Sequence, residues 1–281
     1  MTSAIDAQYN PSLRVADAAA ELQHYGDAAR RARDTLRCTL DLPFGPSAAE
    51  TLDIFPADAP NAPVFVFFHG GYWRALSSKD FSGVALGLHA RGITTVVPNY
   101  ALCPQVTLAE IVRQARAALA WVLRHIGAHG GDAARVAVGG HSAGGHLAAM
   151  GLLHDWASEG FARDPFAAGL LISGLFELEP LRHSYLQPVI QLDEALVRSC
   201  SPLRRVRRSA TPLWVTWGGD ETEAFATQAR DFHTAWQAAG NASELAPVPH
   251  THHFSAIHGF EAGDSALSEW LARRLQPGRP A

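Results

Sequence analysis

Val136-Ala137-Val138-Gly139-Gly140-His141-Ser142-Ala143-Gly144-Gly145-His146 reads as a short apolar strand running into a Gly-x-Ser-x-Gly turn and then a helix. In a turn of this kind, a nucleophile elbow, the serine is held at the tip of a cramped strand-to-helix corner. Gly140 and Gly144 have a physical role there, because a Cβ at either place would collide with the neighbouring strand or helix. Ser142 is thereby expected to project its hydroxyl into a cleft. The helix that follows, through Leu147, Ala148, Ala149, Leu152 and Leu153, directs its N-terminal amides and positive dipole end at negative charge forming beside Ser142. That arrangement suits acyl transfer.

Upstream, Ala62-Pro63-Val64-Phe65-Val66-Phe67-Phe68 reads as a buried strand that ends in His69-Gly70-Gly71-Tyr72-Trp73. In this architecture the loop after that strand supplies the second part of an oxyanion hole, and its glycines let backbone N–H groups turn inward without steric cost. Gly70, Gly71, Tyr72 and Ala143 are the expected donors. Tyr72 and Trp73 stand where an aromatic leaving group could stack, so both are candidate substrate-binding residues. His69 and His141 read as structural histidines bonded to loop backbone, and His146, one turn along the elbow helix, as a structural neighbour.

With 281 residues, of which 47% are hydrophobic, the chain can bury one sizeable core, and a single domain is expected. The formal net charge of -4 comes without a basic face or acidic tail, which argues against nucleic acid or an anionic membrane as partner. The cationic run Arg204-Arg205-Val206-Arg207-Arg208 reads as a solvated segment. Three widely spaced cysteines, Cys38, Cys103 and Cys200, do not form a disulfide framework and fit a reducing compartment. Neither a signal-peptide pattern nor an apolar run of membrane-spanning length is visible, and a soluble cytoplasmic protein is expected.

Residues 1–34 read as an N-terminal arm with one helix, Val15 to Arg33. Thr35 to Leu42 and Glu50 to Phe55 alternate well enough for two antiparallel strands. Strands and helices then interleave. Ile93 to Val97 is strand-like, and Thr107 with Glu110 forms a capping box for a helix ending near Gly127. Phe166 to Leu175, Thr211 to Trp217 and Ser243 to Val248 read as further strands, with helices at Ala224 to Ala239 and Ala266 to Leu275. The alternation implies an α/β fold whose mostly parallel sheet is covered on both faces. Residues 177–210 break the rhythm with Pro180, Pro188 and Pro202 and read as a small cap over the site. Gln276 to Ala281 is expected to be loose.

A serine hydroxyl needs a histidine to take its proton, and that histidine needs a carboxylate to fix its tautomer. The expected order is serine, acid, histidine. Asp220 and Glu221, in Gly218-Gly219-Asp220-Glu221, are the candidate acids, and only one of two adjacent side chains can face the histidine. His250, His252, His253 and His258 are the candidate bases. Their spacing lacks a zinc-ligand pattern, so no metal and no cofactor are expected.

His69-Gly70-Gly71-Tyr72-Trp73 and Gly140-His141-Ser142-Ala143-Gly144-Gly145-His146, together with Ile172-Ser173-Gly174-Leu175-Phe176-Glu177-Leu178-Glu179-Pro180-Leu181 and the early Tyr9-Asn10, resemble the kynurenine formamidase (arylformamidase) group of α/β-hydrolases, close to bacterial carboxylesterases. The resemblance covers most of the chain. It implies the α/β-hydrolase fold and a serine hydrolase that removes a formyl group from an aromatic amine, with hydrolysis of small acyl or aryl esters as the alternative. In that group the acid follows the strand as Gly-x-x-acid, shortly before a Phe and a Gln, which selects Glu221 ahead of Phe225 and Gln228. The group's histidine precedes a Phe, which selects His253 before Phe254. The sequence departs from the pattern in carrying Glu at the acid and His252 before the histidine, where the group often has Asp. The resemblance also implies a small-molecule substrate and is compatible with a homodimer.

Overall fold

The computed structural model describes residues 3–276. Strands β1 (Thr39–Pro43), β2 (Thr51–Phe55), β3 (Ala62–Phe68), β4 (Thr94–Pro98), β5 (Gly131–His141), β6 (Ala168–Ile172), β7 (Leu213–Thr216) and β8 (Ser243–Leu245) form one sheet in the order β1-β2-β4-β3-β5-β6-β7-β8. The pairs β1–β2 and β2–β4 are antiparallel. From β4 to β8 every pairing is parallel. The helices are α1 (Ala4–Tyr9), α2 (Ala18–Thr35), α3 (Ala85–His89), α4 (Leu108–His125), α5 (Ala143–Leu152), α6 (Gln187–Ile190), α7 (Glu194–Cys200), α8 (Glu223–Ala238) and α9 (Ala266–Leu275). None of the described helices is long and apolar enough to cross a membrane.

The period-2 alternation of a strand sends successive side chains to opposite faces, and here it divides the core in two. Val64, Val66 and Phe68 of β3 join one apolar cluster with Val136 and Val138 of β5 and with residues of α4, α5 and α8. Phe65 and Phe67 join the other, with Ala137 and residues of α2, α3 and α9. The central strands are therefore apolar on both faces and read as continuous runs, as a doubly covered parallel sheet requires. Burying each of these Phe and Val side chains contributes about 2 kcal/mol.

Local signals set several ends. Asp17 caps α2 by accepting from the N–H groups of Ala19 and Ala20, and Thr107 caps α4 by accepting from Glu110. The Glu110 carboxylate does not complete the capping box. It turns instead to Arg113 and Gln114. The chain stays helical through Gly127 as a 3-10 turn and reverses at Gly130, whose φ is 81°, because that is where a left-handed residue is needed. Residues 277–281 of the tail expected to be loose lie outside the described residues.

Candidate active site

Parallel strands place the loops that follow them along one edge of the sheet, where open α/β sheets form their ligand crevices. The candidate residues all sit on such loops. Ser142 follows β5, the segment 69–73 follows β3, Glu221 follows β7 and His253 follows β8.

Ser142 has φ 57° and ψ -119°, a strained conformation for a residue with a Cβ. Its N–H donates to the Ile172 carbonyl at 2.9 Å, tying the corner to β6. Close packing enforces the turn: a Cβ on Gly144 would lie 1.9 Å from the Phe68 carbonyl oxygen, and one on Gly140 would lie 2.4 Å from the Gly144 backbone. Ala143 begins α5, so its N–H lies at the end of the helix where amides have no intrahelical acceptor.

The loop after β3 reaches the same point. A Cβ on Gly70 would touch His141 and come within 3.5 Å of Ser142 Cβ. Gly71, Tyr72 and Trp73 all have positive φ. His69 is fully buried and donates from Nδ1 to the Gly70 carbonyl at 2.8 Å, which fixes the Gly70–Gly71 peptide plane. Its ring stacks on Tyr100 at 4.1 Å, and burial lowers its pKa to about 4, so it is neutral. No protein acceptor takes the N–H of Gly71 or Tyr72 among the described residues.

Of the two candidate acids, the structure brings Glu221 to the histidine. Glu221 Oε2 lies 2.7 Å from His253 Nδ1, with side-chain exposures of 1% and 8%. Its Oε1 accepts from the Gly218 N–H at 2.7 Å and from the Ser173 hydroxyl. Asp220 is exposed. A carboxylate buried this deeply is costly unless its oxygens are satisfied, and here both are. His253 is wedged between Phe225 and His141, each ring centroid 4.6 Å away. Phe225 and Gln228, which follow the acid, thus have separate tasks. Phe225 packs on the histidine, and Gln228 receives the N–H groups of Phe176 and Glu177 while donating to the Tyr9 hydroxyl. The other three histidines face elsewhere. His252 and His258 approach Glu21 of α2 at 3.3 and 3.4 Å, and His250 is exposed.

Ser142 and His253 line one cavity of about 360 Å³. They make no hydrogen bond to each other here, a common state for such pairs without substrate. Tyr25, Tyr72, Phe81, Tyr185 and Phe254 give the cavity aromatic walls. His141 also lines it, and burial holds its pKa well below 6.5. His146 bonds the Cys200 carbonyl at 2.7 Å.

The placing of Trp73 as a substrate-binding residue needs correction. Trp73 is fully buried, set edge-on to His146 at 4.9 Å, and it does not line the cavity. With φ 56° at Trp73 and its carbonyl accepting from Cys103, the loop drives this ring into the core, while Tyr72 stays on the cavity wall.

Several lining residues carry no local sequence signal for a site. Asn10, Pro11, Ser12, Leu22 and Tyr25 all come from the N-terminal arm, whereas segment 177–210 contributes Tyr185. The arm is held by Tyr9, whose carbonyl accepts from the Tyr72 hydroxyl, and by Gln8, whose carbonyl accepts from Thr222 at 2.7 Å. Tyr25 donates to the Phe254 carbonyl at 2.6 Å, beside His253. The early Tyr9-Asn10 pair was the one visible trace of this role.

Residues 52–161 match the model of the BD-FAE family. The chain is 28% identical to a kynurenine formamidase of Danio rerio, covering 87% of this chain and 84% of that protein. It is 29% identical to esterase LipQ of Mycobacterium tuberculosis over 76% of this chain and 56% of that protein. Among solved structures, a Silicibacter protein provisionally described as a thioesterase superposes with a TM-score of 0.85 at 28% identity, covering 95% of this chain and 98% of that one. Esterase LipW of Mycobacterium marinum shares the fold with a TM-score of 0.72 at 23% identity, over 92% of this chain and 88% of that one. The chain has the α/β-hydrolase fold and resembles kynurenine formamidases and esterases along most of its length.

Proposed function

We propose that this chain is a serine hydrolase that removes a small acyl group, formyl above all, from an aromatic amine, as in the conversion of N-formylkynurenine to kynurenine and formate. The aromatic-walled cavity above Ser142 carries this reading, because flat aryl groups pack against such rings with little entropic loss. The similarity to kynurenine formamidases over most of the chain supports it.

The Glu221–His253 contact supports the following catalytic roles. With the Glu221 carboxylate accepting at Nδ1, the proton of neutral His253 sits on that nitrogen and Nε2 is left as the base. Nε2 takes the Ser142 proton as Oγ bonds to the acyl carbon. The oxyanion is held by the amides of Ala143 and the Gly70-Gly71-Tyr72 turn, each donor worth about 3 kcal/mol in the transition state. His253 then gives the proton to the leaving nitrogen as the C–N bond breaks. Water, deprotonated by His253, attacks the acyl-enzyme, releasing formate and restoring Ser142.

Hydrolysis of small acyl or aryl esters is the second reading, favoured by the likeness to LipQ. The two separate on kcat/KM for N-formyl-L-kynurenine beside para-nitrophenyl acetate and butyrate, with Ser142→Ala as the blank. A formamide value well above both esters, with rates falling steeply from acetyl to butyryl, is the expected result. Ester turnover with negligible formamide activity would make the chain an esterase.

A further inference from the structure

Arg74 stands at the mouth of the cavity above Ser142 and, histidines aside, is the one ionisable side chain among the lining residues that is charged at neutral pH. Among the described residues no Asp or Glu pairs with its guanidinium, whereas Arg182 and Arg204, on the neighbouring segment, are bound by Glu179 at 2.9 Å and Glu177 at 2.7 Å. The guanidinium lies 5.5 Å over the Tyr185 ring, which holds a cation in place without neutralising it. Its backbone is equally fixed, since the Arg74 N–H donates to the Gly71 carbonyl at 3.0 Å. The cation is thus built onto the same turn that supplies the expected oxyanion donors. Tyr185 is in turn anchored by its own N–H to Asp6 at 2.7 Å, so arm, cap segment and cation form one rim.

A charge placed in this way attracts the opposite charge on whatever enters. A guanidinium fork matches a carboxylate in shape and donor number, and a cavity of about 360 Å³ has room for one aromatic ring with a short tail. Resting on the hydrolase reading above, we propose that Arg74 selects substrates carrying a carboxylate at the end remote from the scissile bond, so that the preferred class is acylated arylamines, or aryl esters, with an anionic tail.

The test uses isosteric pairs that differ only in the tail: ortho-formamidophenylpropanoate against its primary amide, and para-acetoxyphenylpropanoate against its primary amide. The wild-type protein is expected to favour the carboxylate in kcat/KM by about tenfold, less at high salt because the site is open to solvent. Arg74→Gln should bring the ratio near one, and Arg74→Glu should invert it. Independently of turnover, phenylpropanoate should slow labelling of Ser142 by a fluorophosphonate more than phenylpropanamide does, and Arg74→Gln should remove the difference. A wild-type ratio near one, or a carboxylate preference that survives Arg74→Gln, overturns the proposal. Labelling of Ser142 with no turnover of either pair would instead overturn the formamidase and esterase readings, while the competition experiment still decides the preference for the tail.

Discussion

Glu221 and Asp220 are neighbours of the same charge, and packing alone separates their roles. The Glu221 carboxylate is nearly inaccessible and has three contacts that settle its orientation, Gly218 and Ser173 on one oxygen and His253 on the other, while a 2.9 Å backbone bond closes the turn from Gly218 to Glu221. Asp220 uses its N–H on the Thr251 carbonyl and leaves its side chain in solvent. Glu221→Gln should keep the fold and lower kcat by roughly 10⁴-fold, because an amide in that place favours the wrong histidine tautomer. Asp220→Asn should stay within about twofold of wild type, as exposed substitutions do. Steady-state kinetics on the two variants separates the assignments, and a larger loss in Asp220→Asn would reverse them.

At the level of elements, the arm comprising α1 and most of α2 is as much a part of the candidate site as the elbow. Tyr9 is 5% exposed and packs against Phe225 at 6.0 Å, one ring away from His253. Tyr9→Ala should cost roughly 3 kcal/mol through the void it leaves. It should also lower kcat/KM at least about tenfold as the Tyr72 and Gln228 contacts loosen, a link between misplacement and rate that is common at such sites. Denaturant unfolding and steady-state kinetics on one preparation check both, and a stability loss with unchanged kcat/KM would remove the arm from the site. The central strands and the elbow were legible in the sequence because their signals are local: an unbroken apolar run, and glycines where a corner must be tight. The resemblance then singled out Glu221 and His253. The arm's place on the cavity wall was not legible, since contacts between residues 9 and 228 or 25 and 254 have no local signature. Trp73 was misplaced for a related reason. Sequence adjacency to Tyr72 says nothing about which way a run of left-handed residues turns each ring.

On the scale of the whole molecule, three buried histidines around the site set an acid limit. Burial lowers His69 and His146 from 6.5 to about 4 and puts His141 well below 6.5. The unfolded chain takes up protons at these positions as pH falls through 6.5, while the folded chain takes them up at His69 and His146 only near 4. The contribution of these histidines is therefore constant above about pH 6.5 and lost between 6.5 and 4, by roughly 3 kcal/mol for each of His69 and His146. Urea midpoints should be level from pH 8 to 7 and fall steeply below 6.5; a level profile down to pH 4 would show that these rings are accessible in the folded state. The central claim, that Glu221 and His253 activate Ser142, is tested most directly by the rate of fluorophosphonate labelling followed by intact mass and peptide mapping. Wild type should gain one adduct, on Ser142; Ser142→Ala should gain none, and His253→Ala should react more than about 100-fold more slowly. An unlabelled wild type, or an adduct that persists in Ser142→Ala, would contradict the account.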